Sequence, residues 1–526
     1  MNLVERVAQT RIGYNNTTIS DKIQLIEKKS TFFLSLTISK VEIANKYLIK
    51  NPIFVYSKKK NVTLIKSISG IRGTIGGKPG QGLTPVDATK FAAAYGTWIL
   101  QNNSNNQPLV VIGRDARISG EMISDLVMRT LQGLGINVID LGLSTTPTVE
   151  IAVPMENAQG GIIITASHNP KEWNALKLLN AKGEFISDQE GKTILMIAEN
   201  EAFNFALVDD LGWLKKDNSY VNKHVQAVLN LPLVDREAIK KAGFKVVVDS
   251  VNSTGGIFVP ALLTALGVET IYPIYCEPTG HFPHNPEPLP ENLTAIATKI
   301  VETSADLGIV VDPDVDRLAF VCEDGTMFGE EYTLVSVADY VLKNTPGNTV
   351  SNLSSTISLR EITNKYHNCN YAAAAVGEVN VVEKMKATNA IIGGEGNGGI
   401  IYPELHYGRD ALVGIGLFLT HLAKSGLKTS ELRATYPTYF ISKNKIELSP
   451  LMNVDAILES IQNEYANQEI DTTDGVKIYF GSEWAHLRKS NTEPIIRIYS
   501  ESESEEKANA LAFAIMDKIK TVALIV

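Results

Sequence analysis

Repetition narrows the fold of this chain more than any other feature. Short β-branched runs alternate with Ala- and Leu-rich helical stretches, and one strand–loop–helix–strand unit recurs. The first copy reads as a strand at 108–112, the loop Gly113-Arg114-Asp115, a helix near 121–134 and a strand at 137–140. The second has a strand at 244–248, the loop Asp249-Ser250-Val251-Asn252, a helix near 257–266 and a strand at 268–274. A weaker third copy runs from Thr349 through Ser354-Ser355-Thr356 to Ala372 and Val376-Gly377. Such copies imply tandem α/β domains of similar topology. Past residue 435 the pattern becomes α+β: a helix near 453–467, strands flanking 488–493 and a closing helix at 505–519.

A chain of 526 residues is too long for one ordinary core, and several domains packed round shared clefts suit a small ligand. The expected divisions are α/β domains at 62–212, 213–325 and 326–434, then a C-terminal domain at 435–526. Residues 1–61 are rich in Lys, Asn, Ser and Thr and end in a charged run, the composition of a poorly ordered extension. With 49 basic against 58 acidic residues and no long basic run, the chain offers no track for a nucleic-acid backbone. Cys276, Cys322 and Cys369 are too widely spaced for a disulfide framework or a zinc pattern, which fits a reducing cytoplasm. No apolar stretch reaches membrane-spanning length, so neither nucleic acid nor membrane is an expected partner.

Four loops carry chemistry. The apolar run Gly160-Gly161-Ile162-Ile163-Ile164 ends abruptly in Thr165-Ala166-Ser167-His168-Asn169-Pro170, and loops at the carboxyl ends of strands are where α/β folds bind ligands. A serine exposed there can act as a nucleophile or carry a phosphoryl group if a cation offsets the charge. Asp312-Pro313-Asp314-Val315-Asp316-Arg317 presents three alternating carboxylates, hard oxygen donors suited to Mg²⁺. Without a cation, folding would raise the pKa values of three anions held so close. Arg317 is placed to hold a phosphate oxygen. In Gly393-Gly394-Glu395-Gly396-Asn397-Gly398-Gly399 the glycines admit close backbone approach, and Glu395 and Asn397 can bond sugar hydroxyls. Arg488-Lys489-Ser490-Asn491-Thr492-Glu493-Pro494, with Arg497 beyond, assembles donors of a phosphate cradle.

In this order the motifs resemble the α-D-phosphohexomutase superfamily, from about Val62 to the C-terminus. Thr165 to Pro170 is similar to its phosphoserine loop, Asp312 to Arg317 to its metal loop, Gly394 to Gly399 to its sugar loop and Arg488 to Pro494 to its phosphate loop. The resemblance implies three similar α/β domains with mixed sheets plus a smaller α+β C-terminal domain, and an active site in the central cleft. It implies exchange between hexose 6-phosphate and 1-phosphate through phosphorylated Ser167 and a hexose 1,6-bisphosphate. One Mg²⁺ would be held by Asp312, Asp314, Asp316 and the Ser167 phosphate. Arg72, His168 and Lys177 become candidates for proton transfer or for holding the moving phosphate, and Lys177 needs a lowered pKa to act as a base. Ser490, Asn491, Thr492, Arg488 and Arg497 would grip the phosphate at rest.

Two segments depart from the family pattern. Asn397 and Gly399 replace the usual serine and histidine of the sugar loop, and Ala175 follows Asn174 where glycine is usual. Val376-Gly377-Glu378 resembles the acidic version found in phosphoglucosamine mutases, and Glu378 could favour an ammonium-bearing sugar. Glucosamine phosphate, a precursor of UDP-N-acetylglucosamine, is therefore the expected substrate of a monomer or homodimer, with glucose and mannose phosphates the alternative. A phosphatase of the haloacid-dehalogenase kind would leave Ser167 without a role. A binding protein without turnover would not need Ser167, three aspartates and Arg317 intact.

Overall fold

The computed structural model describes residues 62–67, 70–103, 107–447, 453–489 and 495–523, all within one compact unit beginning at Val62. The expected extension at 1–61 lies outside the described residues.

The first sheet has seven strands: β1 (Ile65–Ser67), β2 (Gly70–Thr74), β3 (Leu109–Arg114), β4 (Asn137–Leu143), β5 (Gly160–Ile164), β6 (Trp173–Leu179) and β7 (Leu214–Lys216). They lie in the order β1-β2-β6-β5-β3-β4-β7, parallel among β5, β3, β4 and β7 and antiparallel at the other end. Strand β7 falls beyond residue 212, the expected end of the first domain. Its register with β4, Val138 against Leu214, draws it into the first sheet.

Every residue of β5 is buried, as a central strand covered on both faces requires. Two glycines open it because a Cβ at Gly160 would meet the Tyr95 hydroxyl and one at Gly161 the Val153 side chain. Tyr95 sits on the helix Pro85–Gln101, which starts cleanly: Thr84 and Asp87 form a capping box and Pro85 takes the first turn.

The second sheet holds β8 (Lys245–Asp249), β9 (Thr270–Ile274), β10 (Leu307–Val311) and β11 (Leu318–Cys322), ordered β11-β10-β8-β9. The third holds β12 (Asn348–Asn352), β13 (Tyr371–Ala374), β14 (Ala390–Glu395) and β15 (Gly399–Ile401), ordered β13-β12-β14-β15. Both are parallel except for one antiparallel edge strand, so the three repeats share a mixed topology.

One apolar core joins the second and third sheets. The helix Ala411–Ser425 runs through it, and its Phe418 stacks on Phe320 of β11 with ring centroids 3.7 Å apart. A five-stranded antiparallel sheet follows, built from β16 (Phe440–Glu447), β17 (Glu469–Asp471), β18 (Val476–Phe480), β19 (Glu483–Lys489) and β20 (Ile495–Ser502). Helices Val454–Glu464 and Glu505–Ala523 complete this α+β unit. No helix among the described residues is long and apolar enough to cross a membrane.

Candidate active site

Strands β5 and β10 each run buried to their carboxyl ends and stop at a polar loop, and the two loops meet. Ser167 Oγ donates to Asp312 Oδ2 at 2.7 Å, across 145 residues of chain. Both loops turn through the left-handed region at a residue that is not glycine, Ser167 at φ 49° and Val315 at φ 63°. For a β-branched valine this is a true outlier; each such position stores about 1–3 kcal/mol that surrounding contacts must offset.

Much of that offset around Ser167 comes from Arg117, which the sequence reading did not single out. Its guanidinium is fully buried and donates to the carbonyl oxygens of Ser167, Asn169, Pro170 (2.7 Å) and Trp173 (3.1 Å), while its Nε donates to Asp115 at 3.0 Å. Asp115 also accepts from Thr165 Oγ1 at 2.7 Å, and Thr165 Oγ1 accepts from the Ser167 amide at 2.9 Å. A guanidinium with five donors in a fixed fork suits a loop that turns its carbonyls inward. The one sequence signal was the run Arg114-Asp115-Ala116-Arg117 at the carboxyl end of a strand.

The three aspartates are fully buried, and one oxygen from each lies within 4.8 Å of the others. Burial, then Asp316 and Asp314, push the Asp312 carboxyl well above the usual range. Asp314 Oδ1 and Asp316 Oδ1 have no hydrogen-bond partner among the described residues. Buried carboxylate oxygens without a hydrogen bond, in so tight a cluster, are what a hard divalent cation satisfies, so the donor set fits a metal.

Lys177 Nζ reaches Asp314 at 2.7 Å and Asp316 at 3.3 Å. Burial alone would lower its pKa, but the two carboxylates reverse the sign and hold the ammonium charged. The lowered pKa that a basic Lys177 requires is therefore not produced by this environment. His168 behaves oppositely: burial, then the charge of Arg317, take its pKa down to about 2, so the ring is neutral. Its Nδ1 lies 3.4 Å from Ser167 Oγ.

Arg409 was also missed, and it ties the remaining loops together. Its Nη2 donates to Asp316 Oδ2 at 2.7 Å, Nη1 to Glu395 Oε2 at 2.8 Å and Nε to Glu378 Oε2 at 3.0 Å, while its backbone N–H donates to Glu378 Oε1 at 3.1 Å. Glu378, expected to stand ready for an ammonium group, thus already binds a guanidinium through both oxygens. Glu395 likewise accepts from Asn352 Nδ2 at 2.8 Å and the Gly377 amide at 3.1 Å. Local sequence gives no hint of Arg409; it is one basic residue ahead of Asp410, which caps the helix Ala411–Ser425.

A cavity of about 640 Å³, well within the range for small-molecule sites, collects these groups. Arg72, Ser167, His168, Lys177, Arg317, Glu378, Glu395, Asn397 and Arg409 line it, together with Arg497 of β20. Arg488 is not among the lining residues; it points at Asp474, Nε to Oδ2 3.1 Å. Ser490, Asn491 and Thr492 lie outside the described residues. The lining is thus mainly cationic, and the aspartate cluster lies buried behind Ser167 and Lys177, a charge pattern for a phosphorylated ligand beside a metal.

Four profiles of one family match in chain order: phosphoglucomutase/phosphomannomutase alpha/beta/alpha domain I over residues 64–205, domain II over 219–325, domain III over 329–439 and the C-terminal domain over 443–518. The chain belongs to the phosphoglucomutase/phosphomannomutase family. It is a phosphohexomutase, an isomerase, and lies close to the phosphoglucosamine mutases. A phosphoglucomutase/phosphomannomutase of Thermococcus kodakarensis is 38% identical over 83% of this chain and 95% of its own. A phosphoglucosamine/phosphogalactosamine mutase of Sulfurisphaera tokodaii is 33% identical over 84% of this chain and 96% of its own. Among solved structures, a putative phosphomannomutase of Thermus thermophilus superposes with a TM-score of 0.72 at 26% identity, covering 88% of this chain and 99% of the other.

Proposed function

We propose that the protein moves a phosphoryl group between the 6- and 1-oxygens of a hexose through Ser167, with glucosamine phosphate its preferred sugar. The observation that carries the reading is the Ser167 hydroxyl, which lines a cavity together with Arg72, Arg317 and Arg497 and is hydrogen-bonded to a carboxylate of the three-aspartate cluster buried behind it.

In the first half-reaction a sugar hydroxyl attacks the phosphorus on Ser167. The new O–P bond forms as the bond to Ser167 Oγ breaks, and the hydroxyl proton leaves to a neighbouring base. The bisphosphate turns round, Ser167 takes the other phosphoryl group, and no phosphate is consumed. His168, neutral and 3.4 Å from Ser167 Oγ, would hydrogen-bond the moving phosphoryl group; with its pKa taken down to about 2 the ring is too weak a base to be the proton acceptor. Lys177, charged, would hold a phosphoryl oxygen once a cation occupies its aspartates. Arg497 and the 488–494 segment would bind the phosphate that is not reacting. Asp312, Asp314, Asp316 and an oxygen on Ser167 would hold Mg²⁺, which supplies charge neutralisation for an in-line phosphoryl transfer. Chelation is expected to reduce turnover to background, with full recovery on adding Mg²⁺; activity unchanged by chelator would refute the metal assignment.

The preference for glucosamine rests on Glu378 and Glu395, two cavity-lining carboxylates served by one Arg409 guanidinium that they share with Asp316. A second reading, glucose and mannose phosphates, is favoured by the occupied oxygens of Glu378 and by the 38% identical relative. Assays with the three 6-phosphates, each with its 1,6-bisphosphate, separate them. We expect the highest kcat/KM with glucosamine 6-phosphate. A higher value with glucose or mannose removes the sugar assignment and keeps the mutase; no turnover of any sugar removes both. The three cysteines are free thiols, which supports a cytoplasmic setting.

A further inference from the structure

The C-terminal sheet carries three cations in a row. Arg488 of β19 lies directly across from Arg497 of β20, and Arg497 directly across from Lys445 of β16. Residues so paired share a face of the sheet, where like charges repel. Lys445 has Glu447 at 3.5 Å, and Arg488 has Asp474, Nε to Oδ2 3.1 Å. Arg497, the middle cation, lines the active-site cavity. A phosphate bound at Arg497 would lie beside an arginine that a carboxylate already claims.

The backbone places Asp474 for this contact. It lies in the turn between β17 and β18, and the next residue, Gly475, has φ 76° and no room for a side chain, since a Cβ there would meet the Leu487 carbonyl and the Arg488 Cα. The turn is thus pressed onto β19 next to Arg488. His486, also on β19, pins it further: its Nε2 donates to the Asp474 carbonyl at 2.6 Å, and its Nδ1 accepts from Ser354 Oγ at 3.0 Å. Burial takes the His486 pKa down to about 4, so the ring is neutral and one tautomer serves both contacts.

The same carboxylate reaches the third domain. Asp474 Oδ2 accepts from the Val376 amide at 3.0 Å, and the following amide, Gly377, donates to Glu395 Oε1 at 3.1 Å. Ser354 leads to the same atom: its N–H donates to Asn352 Oδ1 at 3.0 Å, and Asn352 Nδ2 donates to Glu395 Oε1 at 2.8 Å. Two routes of direct contacts therefore join the residue beside Arg488 to the carboxylate of the sugar loop.

We propose that Asp474 is a positioning residue that competes with a sugar phosphate for Arg488 and, through the Val376–Gly377 backbone, ties that exchange to the placement of Glu395. The inference rests on the mutase reading, in which Arg497 and the 488–494 segment bind the phosphate that is not reacting. A carboxylate offers one charge, whereas a phosphate monoester offers about two and more acceptor oxygens, so bound phosphate takes the guanidinium and its departure returns it to Asp474. Competition from Asp474 loosens the hold on each phosphate, which suits an intermediate that has to let go and turn round.

Asp474→Asn keeps an oxygen for the Val376 amide and removes the charge on Arg488. Calorimetric titration with inorganic phosphate is expected to give a Kd about 2- to 5-fold lower than wild type, and KM for hexose 6-phosphate should fall in parallel. In an Arg488→Gln background the same change should move neither constant. A simple loss of structure would move both upward. Asp474→Ala, which also deprives the Val376 amide of its acceptor, should in addition shift the ratio of kcat/KM for glucosamine and glucose 6-phosphates by about 3-fold or more, whereas Asp474→Asn leaves that ratio in place. Unchanged or weaker phosphate binding by Asp474→Asn protein with wild-type circular dichroism overturns the exchange, and an unchanged sugar ratio in Asp474→Ala overturns the tie to Glu395. Phosphate titration needs no turnover, so tighter phosphate binding by Asp474→Asn in a chain that turns over no hexose phosphate keeps the exchange and removes the mutase reading.

Discussion

Ser167→Ala is expected to lower kcat by a factor on the order of 10⁴ or more, since the other hydroxyl against the aspartate cluster, Thr146 Oγ1 on Asp314, is fully buried and does not line the cavity, so it cannot take over a covalent step. Folding should be little affected. The Ser167 amide and carbonyl make the contacts that hold the loop, to Thr165 Oγ1 and to Arg117, and an alanine retains both. Alanine in the left-handed region is strained no more than serine. Intact-mass measurement on the purified wild type should find one phosphoryl group, absent from the variant. An alanine enzyme with wild-type turnover would remove Ser167 from the mechanism altogether.

The second large effect is on stability and comes from a residue with no motif. Arg409→Met would leave Asp316, Glu378 and Glu395 buried without the cation that pairs all three, and breaking a buried ion pair costs about 3–5 kcal/mol. The expected readout is a lower urea midpoint for the first unfolding transition, together with loss of turnover. Arg409→Lys should recover little of either, since an ammonium cannot reach three carboxylates through a planar fork. If the methionine variant unfolds at the wild-type midpoint, the three carboxylates are not held by Arg409. A variant that folds normally but binds metal weakly would locate its effect in Asp316 alone.

Arg409 and Ser167 also mark how far the residues could be read in one dimension. Ser167, Asp312, Asp314 and Asp316 were legible because each stands at the end of an unbroken apolar strand, and such ends are where α/β folds expose polar groups. The three repeats were legible from the same alternation of strand and helix. Arg117 and Arg409 were not, because an arginine that crosslinks loops distant in sequence carries no local pattern; only its contacts across 50 and 93 residues show what it does. The reading of Glu378 as a site for an ammonium group missed its partner for that reason. A carboxylate looks available until the tertiary structure places a guanidinium on it.

The sequence by itself determined the α/β class, the tandem repeats, the strand-end loops and the carboxylates that fit a metal, because periodicity and strand-to-loop transitions are local properties of a chain. Tertiary structure alone decided that β7 belongs to the first sheet, that the second and third sheets share one core through Phe418 and Phe320, and that Lys177 stays charged. Those outcomes turn on distances between residues far apart in the chain. Pairing, burial and charge act through space, and nothing in the order of residues states which of them will meet.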